Sequence, residues 1–134
     1  MNLNVPYGIT RRIAGVKLAD ARARVIDALR AEGFGVLTEI DVQATLKNKL
    51  GVDTAPYVIL GACNPQLAHK ALTAEPGIGL LLPCNVVVAQ DGEDSLVSAV
   101  SPRAMFSVVG GGVEGLDAIA GDAEGRLRRA VEAA

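Results

Sequence analysis

The run Leu80-Leu81-Leu82-Pro83-Cys84-Asn85-Val86-Val87-Val88 constrains the fold more than any other segment of this chain, because it is apolar at nearly every position. A strand with one wet face alternates apolar and polar residues, whereas a strand covered on both faces reads as a continuous apolar run. The segment is therefore predicted to lie centrally in a sheet, with Pro83 at an interruption, since proline donates no hydrogen bond to a ladder. A central strand requires neighbours on both sides. Asp91-Gly92-Glu93-Asp94 makes a turn, and Leu96 to Val100 supplies one neighbour as the returning strand of a hairpin.

The other elements follow from period and punctuation. Leu18, Ala21, Val25 and Leu29 recur on one helical face, and Gly33 ends that helix. Phe34, Val36, Thr38 and Ile40 alternate as in a strand, after which Asp41 is a cap for a helix carrying Val42, Leu46 and Leu50 and closed by Gly51. A strand from Tyr57 to Ala62 runs through Asn64 into a helix over Pro65 to Ala74, stopped by Glu75-Pro76-Gly77. Pro102 opens a short helix through about Val109, and a last helix turns Leu116, Ile119, Ala123, Leu127 and Val131 inward. These elements fit one domain over residues 1–134 of α+β class: a single mixed β-sheet covered by helices, with a late β-hairpin and a C-terminal helix.

Length and composition agree with that reading. A folded chain of 134 residues buries roughly two thirds of the surface that its unfolded form exposes, so a core is available without a disulfide. Hydrophobic residues make up 50% and charged residues 21%, which excludes a disordered chain, while two Phe, two Tyr and no Trp imply an aliphatic core. With 13 basic against 15 acidic residues and few rings to stack on bases, no nucleic-acid surface is expected. The N-terminal Met1-Asn2-Leu3-Asn4-Val5-Pro6 has no basic region leading into an apolar run, and nowhere do about eighteen apolar residues follow one another. The expectation is a cytoplasmic protein with no membrane partner and two reduced cysteines.

The junction Gly61-Ala62-Cys63-Asn64-Pro65 is the best candidate for a site. Asn64 is a favoured N-cap, and Pro65 suits the first helical position because its missing N–H would have had no partner there. Helix-start N–H groups carry partial positive charge and hold an anion or favour a thiolate, so Cys63 stands where a helix begins.

The segments Phe34-Gly35-Val36-Leu37-Thr38-Glu39-Ile40-Asp41, Thr45-Leu46-Lys47, Leu60-Gly61-Ala62-Cys63-Asn64-Pro65, and Glu75-Pro76 with Gly79 to Val88, in that order, resemble the bacterial and archaeal family known as domain of unknown function 302. The resemblance spans about residues 7 to 134. It implies a small α+β domain that associates as a homodimer, and it implies no established reaction. The chain departs from the family pattern at Gly110-Gly111-Gly112, where a less glycine-rich connection is usual.

Cys63 and Cys84 both fall in family motifs at strand ends. One reading makes Cys63 a nucleophile, redox thiol or soft-metal ligand with Cys84 as its partner; the other makes both small buried hydrophobes. His69, the one histidine, lies about five residues into the helix, roughly 7 Å along its axis from Asn64, and reads as a solvated face rather than a base for Cys63. One histidine and two thiols are too few for a closed four-ligand zinc site within the chain. Gly110-Gly111-Gly112-Val113-Glu114-Gly115 fits a dinucleotide fingerprint, but a single helix follows it with no second strand, so it reads as a connection between helices. Glu39, Asp41 and Glu75 lie at element ends, where Asp41 is explained as a cap and Glu75 as a helix end. The leading expectation is a dimeric binding module with a ligand site at Cys63, Asn64, Pro65, Cys84 and Asn85 for a small molecule, anion or soft metal. A thiol-dependent enzyme or redox protein using Cys63, and a purely structural dimerisation module, stand as alternatives; the sequence names no cofactor.

Overall fold

The computed structural model describes residues 1–134. Its strands are β1 (Gly8–Ile13), β2 (Gly35–Asp41), β3 (Tyr57–Cys63), β4 (Cys84–Asp91) and β5 (Asp94–Val100); its helices are α1 (Leu18–Ala31), α2 (Val42–Leu50), α3 (Pro65–Ala74), α4 (Pro102–Phe106) and α5 (Leu116–Ala133). One five-stranded sheet has the order β1-β5-β4-β3-β2, so the apolar β4 is its middle strand. The class is α+β, with the hairpin β4–β5 and the closing helix α5 where the sequence places them. All four ladders are antiparallel, however, and the sheet is not mixed. The connections through α2 and α3 each return the chain to the adjacent position in reversed direction, which a reading by element order alone does not distinguish from a crossover.

Two boundaries also differ from the periodicity. β1 is a strand that the sequence pattern does not announce, because only Ile9 and Ile13 are buried and the residues between them include Arg11 and Arg12. Leu80 and Leu81 belong to a 3₁₀ helix over Pro76–Leu81, and the strand begins only at Cys84. Pro76 opens that turn, Pro83 cannot join the ladder, and Leu80 is left 92% exposed.

Burial on the sheet is mainly on one face, with Ala89 and Leu96 the buried pair on the other, so β4 is central without the cover on both faces that its apolar run predicts. Val58 and Leu60 of β3, Val86 and Val88 of β4, and Val97 and Ala99 of β5 meet a layer made by Val25 and Leu29 of α1 with Leu127, Ala130 and Val131 of α5. A second cluster joins Ala71 and Ile78 to Phe106, Leu116 and Ala120, tying α3 to α4 and α5. By contrast α2 has no buried residue, and β2, an edge strand, is exposed at every position except half-buried Val36. No helix is long and apolar enough to cross a membrane.

Candidate functional site

Where β3 and β4 end, the sheet opens into an apolar cavity of about 290 Å³. Ala62 and Cys63 close β3 at its floor, Cys84 opens β4 beside them, and Ala62 pairs directly with Cys84 in the ladder. Leu67, Ala68, Ala71 and Leu72 of α3 form one wall, Ile119 and Ala123 of α5 another, and Phe34, Leu82 and Phe106 complete it. Of the 15 lining residues 13 are hydrophobic, and Asn64 supplies the only amide. Leu37 and Leu72 line the cavity and are also exposed, so they frame its mouth.

Local chemistry explains how the junction is built. Asn64 is buried, its side-chain oxygen accepts the Leu67 N–H at 3.2 Å, and its carbonyl accepts the Ala68 N–H at 2.9 Å. Pro65 has no N–H and the Leu67 and Ala68 amides are taken, so within the first turn of α3 only Gln66 keeps a free N–H. That leaves little for an anion to bind. Gly33 adopts a left-handed backbone (φ 84°), and a Cβ there would lie 2.9 Å from the Asn64 amide nitrogen, so the turn ending α1 needs glycine to let Asn64 sit down. Gly61, next to the floor in β3, has a similar role against β2 and Pro83, since a Cβ there would overlap the Thr38 hydroxyl and reach 2.9 Å from the Pro83 ring.

Of the five residues singled out from sequence, Cys63, Asn64 and Cys84 line this cavity, whereas Pro65 and Asn85 are exposed and do not. Cys63 is half-buried and Cys84 buried, and both are free thiols. Burial pushes the Cys84 thiol up to about 11, and the neighbouring Cys63 adds to the shift, so Cys84 is protonated at neutral pH. No group of three or more His, Cys, Asp and Glu side chains converges as a metal site.

The other candidates take the places that simple packing gives them. His69 is exposed, with its carbonyl accepting the Thr73 hydroxyl at 2.7 Å. Arg22 donates to both carboxylate oxygens of Glu39 at 2.5 Å and holds that carboxyl below the usual range. Asp41 caps α2 through the Ala44 N–H at 2.9 Å, and Glu75 accepts the Gly77 N–H at 3.3 Å. Gly110 to Gly112 lie in the connection from the 3₁₀ turn Ser107–Val109 to α5.

Sequence reasoning missed Phe34, Leu37, Leu72 and Phe106 as parts of one lining. The only signal available was that Phe34 and Phe106 are the chain's two phenylalanines and that α3 carries more apolar residues than one sheet contact uses.

A family model for a domain of unknown function, DUF302, matches residues 9–134. The crystal structure of an uncharacterized conserved DUF302 protein from Bacillus stearothermophilus is similar at a TM-score of 0.86 and 30% sequence identity, covering 96% of this chain and 98% of that one. No curated protein matches.

Proposed function

For a chain that belongs to the DUF302 family, as this one does over residues 9–134, we propose a small-molecule binding module whose site is the cavity under the start of α3. The observation that carries this reading is the cavity itself: about 290 Å³ of space bounded almost wholly by hydrophobic side chains, with two thiols and one amide. Ligand sites are concave and mostly apolar with a few placed polar groups, and apolar cavities of this kind bind small apolar molecules when water gains too little by entering. Asn64 and Pro65 between them occupy or remove the first-turn donors of α3 except that of Gln66, which favours an apolar ligand over a free anion at the same junction. A second element of the proposal is a homodimer. The exposed Leu37 and Ile40 of edge strand β2 and Leu50 at the end of α2 support it, because a monomer gains nothing by presenting them to water.

Titration of the protein with toluene, followed by methyl NMR, tests the site. Shifts are expected at Leu67, Leu72 and Ile119, together with slower alkylation of Cys63. Shifts confined to residues outside the cavity, or alkylation unaffected by saturating toluene, count against it. The same sample run as a native mass spectrum reports the dimer and any retained ligand or soft metal.

The thiol-enzyme reading has one observation in its favour, that Cys63 and Cys84 share the cavity wall. Cys63→Ser separates the two: it spares toluene binding if the module only binds, and removes turnover if Cys63 is a nucleophile.

A further inference from the structure

Of the 15 residues that line the cavity, only Leu37 and Leu72 are exposed. They frame the way in, and they are held differently. Leu72 projects from α3 and lies against the 3₁₀ turn, where a Cβ on Gly79 would be 3.8 Å from its Cδ2. Leu37 stands at a β-bulge: the ladder between β2 and β3 pairs Val36 with Ala62 and Thr38 with Gly61, and skips the residue between them. Strict alternation would turn Leu37 away from the face that Val36 shares with Ala62, but a bulge re-aims a side chain out of that alternation. It does so here, since Leu37 lines the cavity together with Ala62.

The neighbours of the bulged residue are fixed, and the residue itself is not. Val36 packs against the core, and the Thr38 hydroxyl fills the space that a side chain on Gly61 would need. Leu37 is 68% exposed, on an edge strand with no neighbour along its outer side. Exposed side chains change rotamer rapidly, and this one can do so without displacing a packed group. The wall behind it, with Leu67, Ala71 and Phe106 all buried, has no such freedom.

We propose that Leu37 is the gate of the cavity: its side chain, set over the mouth by the bulge, governs how fast a ligand enters and leaves. This rests on the binding-module reading and adds to it the control of access. A side chain that stands in the passage raises the barrier to entry and to exit alike, which slows both rates and leaves their ratio unchanged. Affinity then belongs to the buried wall, because a gate that is mostly exposed makes few contacts with a bound molecule.

Line-shape analysis of the toluene titration, read at the Leu67 and Ile119 methyl signals of the full chain, gives both rate constants and the dissociation constant. In Leu37→Ala both rates are expected to rise at least about threefold, the scale of a few atom contacts removed from the passage, with Kd within about twofold of its original value. Leu37→Phe puts a larger group in the same place and slows both. Ile40→Ala is the control: Ile40 is exposed on the same strand and belongs to the same proposed dimer surface but does not line the cavity, so the rates should stay as they were. Unchanged rates in either Leu37 variant, a weaker Kd with unchanged entry in Leu37→Ala, or equal acceleration in Ile40→Ala overturns the gate and leaves the cavity reading standing. Failure of toluene to bind the unaltered chain overturns both.

Discussion

The covered middle of the sheet and its open end are made from the same kinds of residue and come out differently. Under α1 and α5, Leu29, Leu60, Val86, Val88, Val97 and Leu127 are all but inaccessible and fill the space between helix and strand. Between α3, α5 and the strand ends, Ala62, Ala68, Ala71, Ala123 and the two cysteines stand among larger Phe34, Leu67, Leu72, Leu82, Phe106 and Ile119, and a cavity remains. Interiors pack to near-crystal density when large groups interdigitate; where short side chains stand between the large ones, the gap they leave is not closed. Apolar pattern therefore decides that a surface is buried, while side-chain volume decides whether the result is a core or a pocket.

Mutations can break this comparison. Leu127→Ala opens a hole in the filled region and is expected to cost about 2–5 kcal/mol in urea unfolding, because neighbours already at native density relax only partly. A loss under 1 kcal/mol there would show the middle of the sheet to be as loose as its end. The pocket region instead reveals itself in alkali. The Cys84 thiol is raised to about 11 in the folded chain, so between its ordinary value and that one the unfolded state releases a proton that the folded state keeps. Its contribution is complete below about pH 9 and lost by about pH 11, up to about 2–3 kcal/mol for a shift of this size. Cys84→Ala should flatten that part of a stability-against-pH curve, and a curve of unchanged shape contradicts the burial assigned to Cys84.

Smaller effects sharpen the contrast. Asn64→Ala removes the cap of the helix that walls the pocket and should cost about 0.5–2 kcal/mol, with the loss also reporting on toluene affinity. Ala68→Leu works in the opposite sense: it fills empty space, so stability should stay within about 1 kcal/mol of the original while toluene binding disappears. Retained binding in that variant would place the ligand elsewhere. Least of all, Glu39→Gln breaks the half-exposed pair with Arg22 and should cost no more than about 1 kcal/mol, because such pairs gain little in water.

The parts of the fold legible in sequence were those with strong local punctuation. Asp41, Asn64 with Pro65, and Gly51 mark ends of α2 and α3 that the structure keeps, and Asn64 and Asp41 make the capping bonds expected of them. The strand β1 was illegible because two arginines interrupt its apolar pattern: Arg11 reaches the carbonyls of Val131, Glu132 and Ala134, and Arg12 pairs with Asp91 and Asp94. Those partners lie about 80 or more positions away in sequence, beyond any local window. The candidate site divides in the same way. Cys63 and Asn64 stand out because they interrupt a strand-to-helix junction, whereas Phe34 and Phe106 join them only when α1, α4 and the sheet have come together.

By itself the sequence determined the order of strands and helices from α1 onward apart from the 3₁₀ turn before β4, that β4 is central, and where α3 begins, since period, proline and capping act over a few residues. Tertiary structure alone decided that all the strands run antiparallel, that two cysteines 21 positions apart share a wall, and that the space beside them stays empty. Strand direction, convergence and unfilled volume depend on how separate elements meet, and no local preference carries that information.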